Sequence, residues 1–370
     1  MTFWFIILIV IMLLFAAGIV YLIRSFHRFS IIKKIAEKHT ILSWAASIVP
    51  LVLIFCFGAI NAFTPIIIII HLMLFMIITR ICGRIFSKIR KSDRHPNIEG
   101  IAAFAITAVY LSIGWYNAHT VLRTEYSFTT DKNVGELKIA AIADSHLSMT
   151  LDGEKFAAEM ERIQAEAPDL VLIGGDFVDD DSRKADMVSA CEALGKLETK
   201  YGVYFIFGNH DKGYFESSRD FTSDDLRAEL EKNNVKILED ESVLVDNKFY
   251  VIGRQDRMEN DRADIKELTE GLDQSKYMIV IDHQPNDYKN ESESAADMVF
   301  SGHTHGGHIW PAGYVGLITK ANDRVYGTET RNNTNFVVSS GISGWGIPFK
   351  TGTVSEYVII NITENPPENN

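Results

Sequence analysis

The chain has 370 residues, a formal net charge of −12 and a mean hydropathy of +0.04. These averages exclude a disordered chain, a collagen-like repeat and a small disulfide-stapled domain. They also conceal a difference in charge between the first third of the chain and the rest. Residues 1–119 hold 11 Lys and Arg against 3 Asp and Glu, a net charge of +8, whereas residues 120–370 hold 25 against 45, a net charge of −20. Such asymmetry between parts of a chain indicates interaction with either a membrane or a polyanion.

Four uncharged, apolar runs in the first third predict four transmembrane helices, because about 20 such residues cross a bilayer as a helix. Residues 40–79 are too long for one span and break around Gly58, Asn61 and Pro65. A cleaved signal peptide is the alternative for the first run, but no basic residue precedes it and three further runs follow. The predicted spans are residues 2–23, 41–60, 65–79 and 99–117.

All 11 basic residues of this region lie in two connections, residues 24–38 and 80–94. The positive-inside bias places both connections in the cytoplasm. With four spans, both termini and everything after residue 120 then lie outside the cell membrane. A nucleic-acid patch is a weak alternative for these basic stretches, since apolar spans flank both of them.

The acidic part begins with an expected linker, residues 120–136, followed by a domain over residues 137–362 and a disordered tail, residues 363–370. Apolar runs alternate with helical spacing at first and then follow one another without helices, which predicts an α/β domain with a mixed sheet or two sheets. The expected strands are 137–143, 169–174, 203–207, consecutive strands within 235–251, 277–281, 298–300, 335–339 and 357–362. The expected helices are 153–167, 182–199 and 223–233.

The three cysteines and His71 are not expected to form a functional site. Cys56 and Cys82 lie in or beside the spans, and Cys191 is alone in the acidic part, so no disulfide can form within the soluble domain. Cys191 is therefore expected to be a small buried apolar residue. His71 has no partner in the sequence pattern. Packing between helices is favoured over the functional role that an intramembrane polar residue first suggests.

Of the six histidines in the soluble part, five follow predicted strands closely, at the edge where open α/β sheets bind ligands. Carboxylate and amide oxygens mixed with imidazoles suit Mn, Fe or Zn, and the donors suffice for two ions that share one carboxylate. Any single histidine here could be an ordinary core or surface residue, so the prediction depends on five segments occurring together. They are Asp144-Ser145-His146, Gly175-Asp176-Phe177-Val178-Asp179, Gly208-Asn209-His210-Asp211, Asp282-His283 and Gly302-His303-Thr304-His305-Gly306-Gly307.

The order D-x-H, G-D-x-x-D, G-N-H-D, a single His and G-H-x-H resembles the calcineurin-like metallophosphoesterase superfamily over about residues 137–362. The apolar spans and the G-H-T-H-G-G form are similar to its membrane-anchored bacterial branch, the YkuE/YaeI-type phosphodiesterases. The resemblance implies a four-layer α/β/β/α sandwich and two divalent metal ions. It implies that Asp144, His146, Asp176 and His305 hold the first ion, and that Asp176, Asn209, His283 and His303 hold the second.

The same resemblance implies a mechanism. The two ions present a hydroxide that attacks phosphorus in line, and they neutralise charge on the phosphoryl oxygens. His210 matches a histidine that is not a ligand and that stabilises the transition state or protonates the leaving oxygen. Asp179 matches the carboxylate that orients it. Histidine suits this role because its pKa lies near working pH.

Three positions depart from the family pattern. Protein phosphatases of the superfamily carry Arg where this chain has Asp180 and Glu where it has Asp211. Loss of the Arg removes a bidentate phosphate clamp, which argues against protein phosphatase activity. In Gly344–Lys350, Lys350 stands where the resemblance predicts Arg. His308 is expected to structure its loop, and Trp310 and Trp345 to pack under loops more readily than to stack on a substrate.

The sequence therefore predicts a membrane-anchored, metal-dependent phosphodiesterase. Its substrate is expected to be lipid-linked or part of the cell envelope, and nucleic acid is not expected because the soluble domain is strongly acidic. The alternatives are a phosphomonoesterase or protein phosphatase, and a catalytically retired sensory or binding domain. A retired site usually lacks a ligand, and none is missing here. The oligomeric state is left open.

Overall fold

A computed structural model describes residues 2–214 and 218–365, with side-chain environments from residue 12 onward. The chain forms two compact units, Met1–Ile113 and Gly114–Asn370. The predicted disordered tail lies mostly outside the described residues. Its first two positions, Thr363 and Glu364, are strand residues.

The first unit is helical. Three helices within the described residues are long and apolar enough to cross a membrane, and a bent pair, Met12–Phe26 with Ser30–Ala36 at 81°, is a further candidate. The predicted count of four spans is therefore not established by the helices themselves. The helices are α1 Thr2–Phe26, α2 Ser30–Ala36, α3 Thr40–Phe55, α4 Thr64–Arg90 and α5 Pro96–His119, the last of which runs into the second unit.

Helix α4 extends well beyond the predicted span of residues 65–79. Arg80, Arg84, Lys88 and Arg90, which the sequence placed in a connecting loop, all lie within it. Arg and Lys are good helix formers, so nothing in this basic stretch ends the helix. It ends at Arg90, and the next residue, Lys91, has a left-handed backbone with a φ of 52°.

The second unit contains two six-stranded mixed sheets. The first has the strand order β1-β12-β2-β3-β4-β5 and the second β10-β11-β9-β8-β7-β6. The strands are β1 Val121–Thr130, β2 Glu136–Ile142, β3 Leu170–Ile173, β4 Val203–Phe205, β5 Lys236–Ile237, β6 Glu241–Val245, β7 Phe249–Gly253, β8 Tyr277–Ile281, β9 Met298–Ser301, β10 Gly327–Arg331, β11 Thr334–Val338 and β12 Ser355–Glu364. The helices are α6 Gly153–Ala165, α7 Lys184–Gly195, α8 Ser223–Lys232, α9 Ile265–Thr269, α10 Tyr288–Ser292 and α11 Gly313–Ile318.

Alternating side chains of these strands build three hydrophobic cores. In β2 and β3, Ile142 and Val171 pack with residues of α6, α7 and α8, whereas Ile139 and Leu172 pack against the second sheet. The outer face of the second sheet packs against α9 and α10. Because successive strand residues point to opposite faces, each sheet is covered on both sides. The layers run helix, sheet, sheet, helix, and the two-sheet alternative of the sequence is the one adopted.

The expected linker, residues 120–136, contains β1, which pairs along its whole length with β12 in parallel register from Val121↔Ser355 to Thr130↔Glu364. The linker interpretation was wrong for this segment. Its residues alternate between half-buried and exposed because β1 is an edge strand. Its pairing partner lies more than 230 residues later in the chain, so no local signal marks it as part of the sheet.

Candidate metal centre

The predicted site segments follow strands that are neighbours in the two sheets. Strands β2, β3 and β4 lie side by side and parallel in the first sheet, and β8 and β9 do so in the second. Carboxyl ends of parallel neighbours meet at one sheet edge. The loops after these five strands therefore bring their Asp, Asn and His side chains to one place.

One group of possible metal ligands consists of Asp144, His146 and His305, and all three are buried. Asp144 and His146 follow β2, and His305 follows β9. The Nε2 atoms of His146 and His305 lie 3.1 Å apart. Asp144 is also fixed from the second sheet, since its Oδ1 accepts a hydrogen bond of 2.9 Å from the His303 backbone N–H.

A second group consists of Asp176, His283 and His303. Asp176 Oδ2 lies 3.1 Å from His283 Nε2, and His283 Nε2 lies 3.3 Å from His303 Nδ1. The same Asp176 oxygen is 3.8 Å from His146 Nε2 in the first group. Asp176 therefore lies between the two groups, as a carboxylate shared by two ions would.

Asn209 lies beside these groups on the loop after β4. The neighbouring His210 N–H donates to Asp176 Oδ1 at 2.9 Å, which fixes that loop to the shared carboxylate. Asn209 Oδ1 is buried with no hydrogen-bond partner among the described residues. A buried acceptor of this kind is satisfied by a cation or a donor that binds there.

The ligand-bearing loops hold an unusual backbone. Asp144, His146, Asp176, His303 and His305 all have φ between 33° and 67°, a region that residues other than Gly rarely adopt. Such conformations persist where the surroundings enforce them, and they cluster at functional sites. Gly208 shows how tight the packing is, because a Cβ at this position would lie 2.2 Å from Asp176 Oδ1. The polar side chains are thus aimed by strained turns.

His283 is oriented by the first sheet. Its Nδ1 lies 2.8 Å from the carbonyl oxygen of Gly174, so this nitrogen carries the proton and donates it. Nε2 faces Asp176, which, against the effect of burial, raises the pKa of His283 by its charge, so a cation bound here would take the place of the Nε2 proton. The preceding Asp282 turns away and forms ion pairs with Arg254 and Arg262. Of this segment, His283 is therefore the candidate ligand and Asp282 is not.

A third cluster lies beside the first and joins His146, Asp179 and His210. Asp179 Oδ1 is 3.1 Å from His210 Nδ1, and Asp179 Oδ2 is 3.3 Å from His146 Nδ1. One carboxylate thus serves two imidazoles. Its contact with His210 matches the orienting role expected from the sequence, and its contact with His146 adds support for a candidate ligand.

The electrostatics distinguish the candidate proton donor His210 from two of the candidate ligands, His303 and His305. The candidate ligand His283 differs from these two because, despite burial, Asp176 and Asp144 raise its pKa. Burial lowers the pKa of His210, but the hydrogen bond with Asp179 and the charges of Asp176, Asp179 and Asp180 outweigh burial and raise that pKa to about 9. Burial and the neighbouring His283 lower the pKa of His303 to about 4, and burial with His146 lowers that of His305 as well. His303 and His305 are therefore neutral at pH 7, as ligands must be.

The residues fit divalent cations. Asp144 Oδ2, Asn209 Oδ1 and His305 Nδ1 are buried polar atoms without a hydrogen-bond partner among the described residues. The imidazole nitrogens lie in close pairs with a carboxylate between them. Such nitrogen and oxygen ligands suit Mn, Fe or Zn. All seven ligands predicted from the sequence lie on the loops that meet here.

Residues 137–307 match the family profile described as Calcineurin-like phosphoesterase. This chain carries a calcineurin-like metallophosphoesterase domain. An uncharacterised metallophosphoesterase of Campylobacter jejuni is 28% identical over 284 residues, covering 74% of this chain and 73% of that protein. A bovine transmembrane protein with a metallophosphoesterase domain is 28% identical, covering 60% of this chain and 52% of that protein. The solved structure of TT1561 of Thermus thermophilus aligns with a TM-score of 0.37 and 11% identity, covering 56% of this chain and 89% of that one.

Two further residues of the second unit lie at the site. Trp345 was expected to pack under a loop, and no sequence pattern pointed to Arg219. The Trp345 ring is half-exposed, and its centroid lies 5.7 Å from that of His210 and 6.1 Å from that of His305. Arg219 donates to the carbonyl oxygens of His210 and Asp211 at 3.0 and 2.8 Å, which holds the loop after β4. Neither sits in a metal-site motif. Trp345 lies on a loop distant in sequence from the candidate ligands, whereas Arg219 lies eight residues after Asp211 on the same connection.

Lys350, for which the resemblance predicted Arg, is fully buried. Its Nζ donates to the carbonyl oxygens of Ser340 and Gly341 at 2.7 and 3.0 Å, so it fixes the turn beside Asp144. Burial lowers its pKa to about 7, against the opposing charges of Asp144 and Glu356. Lys350 therefore has a structural role in this turn. His308 is likewise a loop residue, with Nε2 at 3.3 Å from the carbonyl oxygen of Ile347.

Asp211 also acts within the loops and does not face the candidate ligands. Its carboxylate accepts hydrogen bonds from the backbone N–H groups of Val178 and Gly208 at 3.0 and 2.9 Å. Burial, reinforced by the charge of Asp176, raises its pKa to about 6. The residue joins the loop after β3 to the loop after β4, and so holds Asp176 against His210.

Proposed function

We propose that the metallophosphoesterase domain hydrolyses a phosphodiester with two divalent cations, Mn, Fe or Zn. The observation that carries the proposal is Asp176, whose Oδ2 lies between His283 at 3.1 Å and His146 at 3.8 Å. The bound cations would supply a hydroxide from water near neutral pH and neutralise charge on the phosphoryl oxygens. Asp144, His146, Asp176 and His305 would hold one ion, and Asp176, Asn209, His283 and His303 the other.

His210 is the proposed proton donor to the leaving oxygen. Its Nδ1 is held at 3.1 Å from Asp179 Oδ1, so Nε2, on the other side of the ring, is the nitrogen that would give a proton to the substrate. A pKa near 9 keeps the imidazole protonated at neutral pH, as a general acid needs. Asp179 orients the ring and stabilises its positive charge.

A diester is favoured over a monoester by the charge around His210. Asp180, at the position where protein phosphatases of the superfamily carry Arg, has Oδ2 at 3.3 Å from His210 Nδ1. A monoester carries up to two negative charges and a diester one, so additional carboxylate charge disfavours the monoester more strongly. The absent Arg also removes a bidentate clamp for a terminal phosphate.

A cavity beside the centre supports a lipid-linked substrate. It has a volume of about 380 Å³, and Trp310, Pro311, Tyr314 and Leu317 line it. A smaller cavity of about 230 Å³ contains His303, His305 and Trp345 and shares Gly307, Gly313 and Val325 with the larger one. An apolar group could therefore occupy the large cavity while its phosphoester reaches the histidines.

We further propose that the helical unit anchors the protein in the cell membrane by four spans, with α1 as one of them. Positive-inside bias then places the metallophosphoesterase domain outside the cytoplasm. Asp273, exposed in the second unit, offers a test as Asp273→Cys. A membrane-impermeant maleimide should label this variant in intact cells. Labelling only after lysis would contradict the proposed orientation.

The catalytic proposal is tested on the full chain, purified in detergent and supplied with Mn. It should hydrolyse an aryl phosphodiester faster than the matching aryl phosphomonoester. Asp176→Asn and His210→Ala should each remove this activity. Retained activity in both variants would refute the assignment, a preference for the monoester would refute the diester, and failure to bind metal would favour a retired sensory domain.

The lipid-linked substrate is tested with two neighbouring positions on α11. Leu317 lines the large cavity, and Ile318, the next residue, is exposed and does not. Leu317→Asp should raise KM for an acyl-bearing phosphodiester while leaving the aryl phosphodiester unaffected, and Ile318→Asp should change neither. Equal KM values for Leu317→Asp and the wild type would exclude the cavity as the binding site of the acyl chain.

A further inference from the structure

A third cavity, of about 260 Å³, lies in the helical unit at the end where the basic residues are concentrated. Arg28, Lys33, Arg94 and His95 line it, and no Asp or Glu does. These residues come from the segment between α1 and α3 and the segment between α4 and α5. The fold thus unites the two basic stretches in a single concave site.

Hydrogen bonds build this cavity. The Ser30 backbone N–H donates to Asn97 Oδ1 at 2.9 Å, and Asn97 Nδ2 donates to Ser30 Oγ at 2.7 Å. Close packing reinforces the pair, because a Cβ at Gly100 would lie 2.2 Å from Phe29 Cζ. The two segments are therefore joined in fixed geometry, and the basic side chains are held around one space.

The charges in the cavity are only partly balanced. Arg94 forms a bidentate pair with Glu99, with distances of 3.1 and 2.6 Å. Within the described part of the chain, no ion pair or side-chain hydrogen bond engages Arg28 or Lys33. Two full positive charges thus face the cavity, and an Arg with a Lys is the combination that proteins use to hold a phosphate.

Apolar surface adjoins these charges. Ile98 lines the cavity and is 65% exposed, and Ile31, which follows Ser30, is 67% exposed. The α2 segment that carries Lys33 runs at 81° to α1, as a helix lying along a membrane surface would. A free phosphate would gain nothing from this apolar rim, whereas a lipid would place its acyl chains there.

We infer that this cavity binds the phosphate headgroup of an anionic membrane lipid, with Arg28 and Lys33 as its principal contacts. Basic pockets between helices at a membrane surface are suited to such headgroups. The inference rests on the proposed placement of the helices in a bilayer, and it is independent of the proposed hydrolysis.

The test compares lipids retained by the full chain. The protein is reconstituted in nanodiscs of phosphatidylcholine and phosphatidylglycerol, extracted in mild detergent and examined by native mass spectrometry. The wild type should retain phosphatidylglycerol preferentially. The double variant Arg28→Gln, Lys33→Gln should reduce that preference on the order of tenfold, and Arg28→Lys with Lys33→Arg should restore most of it.

The matched control is Lys34→Gln with Lys38→Gln, which removes the same charge from the same connection at exposed positions that do not line the cavity. It should retain phosphatidylglycerol as the wild type does. Equal losses in both double variants would overturn the inference, since general surface charge would then explain them. Displacement of the lipid by millimolar inorganic phosphate would overturn the assignment to a lipid.

Failure of the proposed membrane placement would look different. In that case the wild type itself would not co-float with phosphatidylcholine vesicles, and the inference would fall with the placement. Circular dichroism and the size-exclusion profile of each variant check its folding, so this control does not depend on the proposed hydrolysis.

Discussion

Two buried histidines, one in each unit, share one kind of hydrogen bond but differ in their other neighbours. His71 in α4 has Nδ1 at 2.8 Å from the carbonyl oxygen of Ile67, one turn earlier. His283 has Nδ1 at 2.8 Å from the carbonyl oxygen of Gly174. The two rings differ in the rest of their surroundings. His71 meets the rings of Phe75 and Tyr110, whereas His283 Nε2 meets Asp176 and His303.

The comparison shows that burial of a histidine does not indicate a site by itself. A ring that has one nitrogen hydrogen-bonded within its own helix, and whose neighbours are aromatic rings, is part of the packing. A ring whose second nitrogen faces a buried carboxylate and another imidazole is arranged for a ligand. Single substitutions of residues at the candidate metal centre and of His71 in the helical unit test this distinction.

The largest effect is expected at Asp176, the partner of His283. Asp176→Asn keeps the shape but removes the charge shared between the two groups, so both cations should be bound more weakly. Phosphodiesterase activity should fall by roughly a thousandfold, and inductively coupled plasma mass spectrometry should find less metal per chain. Full metal content with full activity would show that the carboxylate is not shared.

His210 sharpens the contrast, because it is a third buried imidazole beside the ligands but is proposed to hold a proton. His210→Ala should lower kcat by about 10²- to 10⁴-fold while metal content stays at the wild-type value. Loss of metal in this variant would make His210 a ligand and contradict the proposed division of roles.

Asp179 is expected to act through His210 and His146. Because the carboxylate raises the pKa of His210, the protonated ring is present below a pH of about 9 and is lost as the pH rises through that value. Asp179→Asn should lower this pKa, so the alkaline limb of the kcat/KM profile should move to lower pH, with activity down roughly 10- to 100-fold. Asp181→Asn, a neighbouring exposed carboxylate, should leave the profile unchanged.

The smallest effect is expected at His71. His71→Phe replaces the ring by an apolar one among Phe75 and Tyr110 and gives up a single local hydrogen bond. Phosphodiesterase activity and metal content of the full chain should remain within about twofold of the wild type, since substitutions outside special features usually have small effects. A large loss of activity would mean that the helical unit takes part in the chemistry.

The sequence predicted which loops meet at the candidate site, because its candidate ligands follow strands. Asp144, Asp176, His283 and His303 each stand within a few residues of an apolar strand, so local patterns located them. Trp345 was expected to pack under a loop but is half-exposed beside His210, because folding brings its loop to the site from a distant segment. Arg219 escaped prediction because no motif marks it on the connection after β4. Asp179 was predicted to orient His210, but its contact with His146 depends on the spacing of two loops and could not be inferred.

The fold was predictable to a similar extent. Apolar runs such as Leu170–Ile173 marked the central strands, and their alternation with helices indicated an α/β domain. Edge strand β1 was missed because its half-exposed residues carry a weak pattern and its partner, β12, is distant in sequence. The length of α4 was missed since charged residues that form helices well were interpreted as a loop.

The position of β12 in the first sheet has a consequence for synthesis of the protein. This strand, Ser355–Glu364, follows all the other described strands in the chain, yet it fits between β1 and β2, the first two of them. Until it arrives, both earlier strands present open edges on which other chains could pair. The first sheet is therefore completed only after all its other strands have been synthesised, and a chain cut short before Ser355 would be exposed to aggregation however complete its candidate metal ligands are.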